Sequence, residues 1–273
     1  MDAVPFTKMS GSGNDFILID HRDQRLDEGS LAAFVVGVCR RRLSVGADGV
    51  ILVERSEAAD FRWRFFNADG SPAAMCGNGA RCAARFAVLQ GVCGPVCRFE
   101  TGAGVIEAVV DGRRVRARLT DPGELQESVR LDLAGGSATV SCIDTGVPHA
   151  VLVVGDVAQV DVAAVGREIR FHPHFAPAGT NADIISAEPG GIAIRTYERG
   201  VEAETLACGT GAAAGALVAA RRLGLPSPVR VRTAGGEALT VFFEERAGRF
   251  REVHQEGEAR LVYSGVVHPE AWR

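Results

Sequence analysis

Two cysteines stand in the same short frame: Cys76-Gly77-Asn78-Gly79-Ala80 and Cys208-Gly209-Thr210-Gly211-Ala212. Each frame opens a run of small residues that reads as a helix, which puts each cysteine at a helix N-terminus. Unpaired N–H groups and the positive end of the helix dipole favour the thiolate there, below the free thiol value of roughly 8.5. The flanking glycines carry no Cβ, so backbone donors can close on a carboxylate or phosphate. Two such thiols around one anion pocket suit a specific reaction: one thiolate takes a proton from a carbon beside a carboxylate, and the other thiol returns a proton to the opposite face. The product is an inverted stereocentre.

Composition removes competing chemistries. Of thirty basic residues among 273, only Lys8 is a lysine, so Schiff-base and pyridoxal phosphate chemistry lack a suitable amine. The net charge of −4 argues against nucleic acid or an anionic membrane as partner. The first residues hold no apolar signal core, and the apolar stretches 31–39 and 212–220 are about half the roughly 18 residues of a membrane span, so a cytoplasmic protein is expected. Seven cysteines, an odd number, point to reduced thiols rather than a disulfide framework. Cys39, Cys82, Cys93, Cys97 and Cys142 read as small buried hydrophobes. Neither Cys93-Gly-Pro-Val-Cys97 nor His172-Pro173-His174 has the spacing or company of a metal site, and no metal is expected.

These thiols must be held by elements with clear patterns. Period-two alternation marks strands at Phe61-Arg62-Trp63-Arg64-Phe65, Val115-Arg116-Ala117-Arg118-Leu119, Ile192-Ala193-Ile194-Arg195-Thr196-Tyr197 and Val229-Arg230-Val231-Arg232. Helices are expected over 30–42, with Ser30 as N-cap and Arg40-Arg41-Arg42 at its end, over 79–90 closed by Gly91, and over 210–223 closed by Gly224. The fold class is α+β, mostly antiparallel sheet with few helices. The repeated frame, with Asn14 and Asn181 as a weaker second pair, divides the chain into two similar lobes near Asp121-Pro122-Gly123.

The chain resembles the diaminopimelate epimerase family, relatives of proline racemase. The matching segments follow family order: Lys8-Met9-Ser-Gly-Ser-Gly-Asn14-Asp15-Phe16, Gly46-Ala47-Asp48-Gly49, Phe66-Asn67-Ala68-Asp69-Gly70-Ser71, Met75-Cys76-Gly77-Asn78-Gly79-Ala80-Arg81-Cys82, Gly146-Val147-Pro148-His149, Gly179-Thr180-Asn181, and Tyr197-Glu198-Arg199-Gly200 through Cys208-Gly209-Thr210-Gly211. The resemblance implies two lobes, each a mostly antiparallel sheet-barrel around a central helix, with the active site in the cleft between them. Residues 1–121 would form the first lobe, joined by a returning strand at about 261–273, and 122–260 the second. It further implies cofactor-independent epimerisation of LL-2,6-diaminopimelate to the meso form, serving lysine and peptidoglycan synthesis. Cys76 and Cys208 match the acid/base thiols, and the Gly77-Asn78 and Gly209-Thr210 amides match the holders of the reacting carboxylate. Asn14, Asn67, Asn181 and Arg199 match residues gripping the substrate's polar ends, and His149 and Glu198 match residues that tune the thiols.

Three positions depart from the common family pattern. Val147 stands where many members have Asn, Gly49 where some have Gln, and Val201-Glu202-Ala203 is one residue longer than the commonest form. Val147 motivates a sister reading, racemisation of another amino acid such as histidine or proline. A non-enzymatic alternative is a thiol switch or ligand-binding protein in which Cys76 and Cys208 form a reversible disulfide. The partner expected is a small amino-acid substrate. The oligomeric state is left open, with a homodimer carried as an option.

Overall fold

A computed structural model describes residues 3–272. Two compact units divide the chain: one runs to Ala117 and resumes at Gly257, and the other is Arg118–Glu256. They are similar lobes, each a largely antiparallel sheet curled around one buried helix.

In the first unit the strand Val4–Gly11 pairs antiparallel with Asn14–Asp20 on one side and with Arg260–Val267, from the far end of the chain, on the other. Helix α1 (Leu31–Cys39) carries the chain from Asn14–Asp20 to a parallel neighbour, Gly49–Glu54. An antiparallel step leads to Phe61–Asn67, and helix α2 (Gly77–Leu89) crosses to its parallel neighbour, Val96–Thr101. The second unit repeats this plan. Helix α3 (Val162–Arg170) links the parallel strands Pro148–Val153 and Asn181–Glu188, and helix α4 (Gly209–Leu223) links Gly191–Glu198 to Val229–Arg232. Parallel neighbours require such crossovers, and helices supply all four.

The central strands are apolar without alternation because both faces are covered. In Gly49–Glu54, Ile51 and Val53 pack with α2 while Val50 and Leu52 pack with α1. Phe16 and Leu18 join the α2 side, and Ile17 and Ile19 the α1 side. Small residues let α2 and α4 pass inside the sheet: Ala80, Ala83, Ala84 and Ala87 are fully buried, as is every residue from Gly211 to Ala219. At Gly215 an added Cβ would lie 3.0 Å from the Ile194 side chain and 3.2 Å from that of Ile185, so backbone and sheet touch directly.

Several sequence expectations need correction. Helix α2 begins at Gly77 rather than residue 79, and α1 stops at Cys39, where Gly46 and Ala47 donate to the carbonyls of Val38 and Cys39. The three arginines therefore follow the helix. Ser30 is the N-cap residue of α1 as expected, and Asp27 caps the short 3-10 turn Glu28–Ser30 before it, accepting from Ser30 N at 3.1 Å. Helix α3 escaped the sequence reading, although Asp161 caps it by accepting from Ala164 N at 3.0 Å. Cys39, Cys82 and Cys97 are buried, whereas Cys93 and Cys142 are partly exposed.

Glu54 ties the outer face of the first sheet together. Its carboxylate accepts from His21 Nδ1 at 2.9 Å and Arg62 at 2.6 Å, and Arg64 stands 3.3 Å away. Burial would raise its pKa, but these partners outweigh that and hold it at about 2, against 4.5 for the free group. The lowered value means stabilisation that is complete above pH 4.5 and disappears as pH falls through about 2. Glu54→Gln should cost on the order of 3 kcal/mol at pH 7 and flatten the stability profile in that acid range. Urea denaturation of both proteins at several pH values checks this; parallel profiles would refute it.

Candidate active site

Cys76 and Cys208 occupy equivalent positions in their units. Each is the N-cap of the buried crossover helix, in extended backbone (φ −153°, ψ 116° and φ −112°, ψ 118°). Each sulfur accepts the backbone N–H three residues on, from Gly79 and Gly211 respectively, at 3.4 Å. The first amides of α2 and α4, those of Gly77, Asn78, Gly209 and Thr210, have no acceptor within their own helix. Each helix start is thus a thiol beside two donors without an intrahelical acceptor, an arrangement that attracts anions.

In the first unit a chain of side chains holds this end. The fully buried Arg81 donates to Asn78 Oδ1 at 2.7 Å, to Ser12 Oγ at 2.8 Å and to the Gly77 carbonyl at 3.3 Å. Asn78 Nδ2 then donates to Asn14 Oδ1 at 2.8 Å, and Asn14 Nδ2 to Asp48 Oδ2 at 2.9 Å. A guanidinium at one end and a carboxylate at the other dictate how both amides face. Arg41 bridges Asp48 and Asp15, at 2.8 and 2.6 Å, and the buried Lys8 pairs with Asp15 at 2.8 Å. Asn67 lies apart from this chain. It ends its strand opposite Gly49 and donates to Ser71 Oγ at 3.0 Å across an exposed turn.

The second unit surrounds its helix start with acids. His149 Nδ1 and Asp183 Oδ2 are 2.6 Å apart, and Thr196 donates to Asp183 Oδ1 at 2.7 Å. Thr205 donates to Glu198 at 3.0 Å. Burial pushes the Glu198 carboxyl above the usual carboxylate range against that bond, and the Asp183 charge adds to the rise. Thr145 and Gln255 hold the carbonyls of Thr210 and Gly209, at 3.0 and 2.7 Å. Asn181 ties its strand to two neighbours, accepting from Arg199 N in the turn after Glu198 at 2.8 Å and donating to the Pro148 carbonyl at 3.2 Å. The Arg199 guanidinium reaches the Ala178 carbonyl at 3.5 Å. The longer loop is ordered by Glu202, at φ 59°, whose carboxylate accepts from Arg170 at 2.9 Å.

The expectation of a lowered thiol pKa fails at Cys208. Burial, followed by the charges of Glu198 and Asp183, pushes this thiol well up, and the bonds with Thr210 and Gly211 oppose the rise without cancelling it. Cys208 is a protonated thiol at neutral pH. Arg81, Asp48, Asp183 and Thr196 were not singled out as site residues from the sequence. For Asp183 the signal was a lone acid inside the apolar run Ala182-Asp183-Ile184-Ile185.

The fold defines the class first. A solved phenazine biosynthesis protein of the PhzF family from Bacillus anthracis superposes with a TM-score of 0.77 at 16% identity, covering 98% of this chain and 99% of that one. A hydroxyproline epimerase from Agrobacterium vitis superposes at 0.69 and 18% identity, covering 99% and 94%. The family model for diaminopimelate epimerase matches residues 6–140 and 141–262. Proteins named diaminopimelate epimerase from Aquifex aeolicus and Methanocella arvoryzae are 46% and 39% identical to this chain, the first covering 98% of it and 99% of its own length, the second 98% of each. The chain belongs to the diaminopimelate epimerase family. Among the described residues no helix is long and apolar enough to cross a membrane.

Arg81 is the anchor of the first helix start. Arg81→Met leaves Ser12, Asn78 Oδ1 and the Gly77 carbonyl short of a donor inside the protein, at about 1–3 kcal/mol for an orphaned buried group. A loss of at least about 2 kcal/mol in denaturant unfolding is expected; unchanged stability would show that the helix start does not depend on this guanidinium.

Proposed function

We propose that this chain epimerises LL-2,6-diaminopimelate to meso-diaminopimelate without a cofactor, using Cys76 and Cys208 as the acid/base pair. The observation that carries this reading is the matched N-cap geometry of the two cysteines in a chain of this family. The substrate's reacting carboxylate is an anion, and the Gly77, Asn78, Gly209 and Thr210 amides are donors of the kind that neutralise it. That neutralisation lowers the cost of the negative charge that develops when the adjacent carbon loses its proton.

Cys208 holds its proton at rest, so for one stereoisomer Cys76 acts as thiolate base and Cys208 as acid. Cys76 takes the α-proton while Cys208 delivers its own to the opposite face. Turnover ends with Cys76 protonated and Cys208 ionised, the state from which the reverse reaction starts. Asn14, Asn67, Asn181 and Arg199 are assigned to the substrate's polar ends, and His149 and Glu198 to tuning the cysteine pair and the developing charge. A mechanism on free thiols belongs in a reducing compartment, so we place the enzyme in the cytoplasm.

In D2O, LL-diaminopimelate should gain deuterium at one α-carbon as meso product forms. Cys76→Ala and Cys208→Ala should each lower kcat by about 10²–10⁴-fold. Mild oxidation should abolish turnover and a thiol reductant should restore it; a binding protein with a thiol switch would show neither turnover nor its recovery. Failure to turn over diaminopimelate, with racemisation of proline or histidine, would move the assignment to the sister activity that Val147 suggests.

A further inference from the structure

Asp183 enters the chemistry described so far only as one of the charges that raise the Cys208 thiol, and the fold does not require an acid there. The two units share one plan, and Gly79 of the first corresponds to Gly211 of the second. Against Gly79 lies the side chain of Ile51, 3.2 Å from where a Cβ would be. Against Gly211 lies Asp183, whose Oδ1 would be 2.4 Å from an added Cβ. Ile51 and Asp183 are each two residues along the second strand of their parallel pairs, counted from Gly49 and Asn181. One unit packs this place with hydrocarbon, while the other buries a carboxylate of zero side-chain exposure. Burying an acid in place of a branched aliphatic chain costs stability unless partners compensate, so its retention calls for another reason.

The partners supply that reason. Asp183 Oδ2 is 2.6 Å from His149 Nδ1, and Asp183 Oδ1 accepts the Thr196 hydroxyl at 2.7 Å. A carboxylate only accepts hydrogen bonds, so the ring nitrogen facing it carries the proton. The other ring nitrogen, Nε2, is buried with no hydrogen-bond partner among the described residues. We propose that Asp183 is a positioning residue: it fixes His149 as the Nδ1-protonated tautomer and keeps Nε2 as an unfilled acceptor. Contact with Gly211, whose N–H bonds the Cys208 sulfur, locks the same carboxylate to the first turn of α4. Asp183 is also one of the charges that hold the Cys208 proton in place. The role for turnover rests on the two-thiol reading, whereas the tautomer does not.

The test uses the full chain with 15N-labelled histidine. Two-bond 1H–15N correlation spectra should show His149, assigned by its loss in His149→Gln, as a single neutral ring protonated at Nδ1. An Nε2-protonated or doubly protonated ring in the wild type overturns the proposal without any variant. Asp183→Asn, nearly isosteric and still able to accept from Thr196, should move protonation to Nε2 or mix the tautomers. It should also lower kcat at least about tenfold with KM held, the signature of a group acting only in the transition state. An unchanged Nδ1-protonated ring in Asp183→Asn refutes the positioning role, as does unchanged kcat beside an altered tautomer. Absence of diaminopimelate turnover in the wild type would sink the parent reading and leave the spectroscopic outcome to stand by itself.

Discussion

The rest of the molecule is arranged around one bond made twice: a cysteine sulfur accepting the N–H three residues along, at the start of a helix buried in its own sheet. A sulfur in the N-cap role satisfies the third helical amide and leaves the first and second without an intrahelical acceptor. Thiol and free donors are therefore created together, by the same backbone turn. The helix behind must then lie inside the sheet, which explains the run of Ala and Gly along α2 and α4. It also explains why the strands around them are apolar on both faces.

Given that shared backbone, the two thiols differ through what surrounds them. The first helix start is set among amides oriented between a guanidinium and a carboxylate, so charge of both signs is present and tied down. The second is set among two acids and a histidine, and Cys208 is 9% exposed. The dipole of a helix start favours a thiolate by a modest amount, whereas full desolvation of a sulfur anion and two nearby carboxylates oppose it more strongly. Burial wins at Cys208. Two similar units thereby give their helix starts different surroundings, and at Cys208 those surroundings push the thiol up.

Much of this was legible in the chain. The Cys-Gly-x-Gly-Ala frames located both helix starts, because glycine spacing and small-residue runs act over a few residues and need no tertiary partner. Gly91 and Gly224, at φ 65° and 69°, ended their helices as their positions suggested. Three things depended on contacts distant in sequence. Helix α3 is short and its apolar face is completed by Ile184 and Tyr197, so its own pattern was too brief to stand out. Arg81 lies in the helix that the small-residue run predicts, and the return of Ser12 beside it makes a buried site for its charge. The state of Cys208 could not be read from its helix alone, since Glu198 and Asp183 reach it through strand pairing.

The departures at Val147 and in the 201–203 loop fit the same separation of backbone from side chain. The turn before Pro148 is built without the side chain of residue 147: Gly146 takes φ 108°, its N–H donates to Asp144 at 2.8 Å, and Thr145 N donates to the Val147 carbonyl at 3.2 Å. Asn181 fixes the next carbonyl, that of Pro148. His149 thus receives its backbone position from bonds indifferent to whether residue 147 is Val or Asn. The loop at 201–203 is likewise closed on its own unit, through Glu202 with Arg170 and through the Tyr197 hydroxyl with the Glu202 carbonyl at 2.8 Å. The bonds that close these two segments are made by backbone groups, Asp144 and Glu202, not by the side chain of residue 147. Both segments are held by backbone turns and ion pairs within their own unit, so their local geometry does not depend on which side chain stands at position 147.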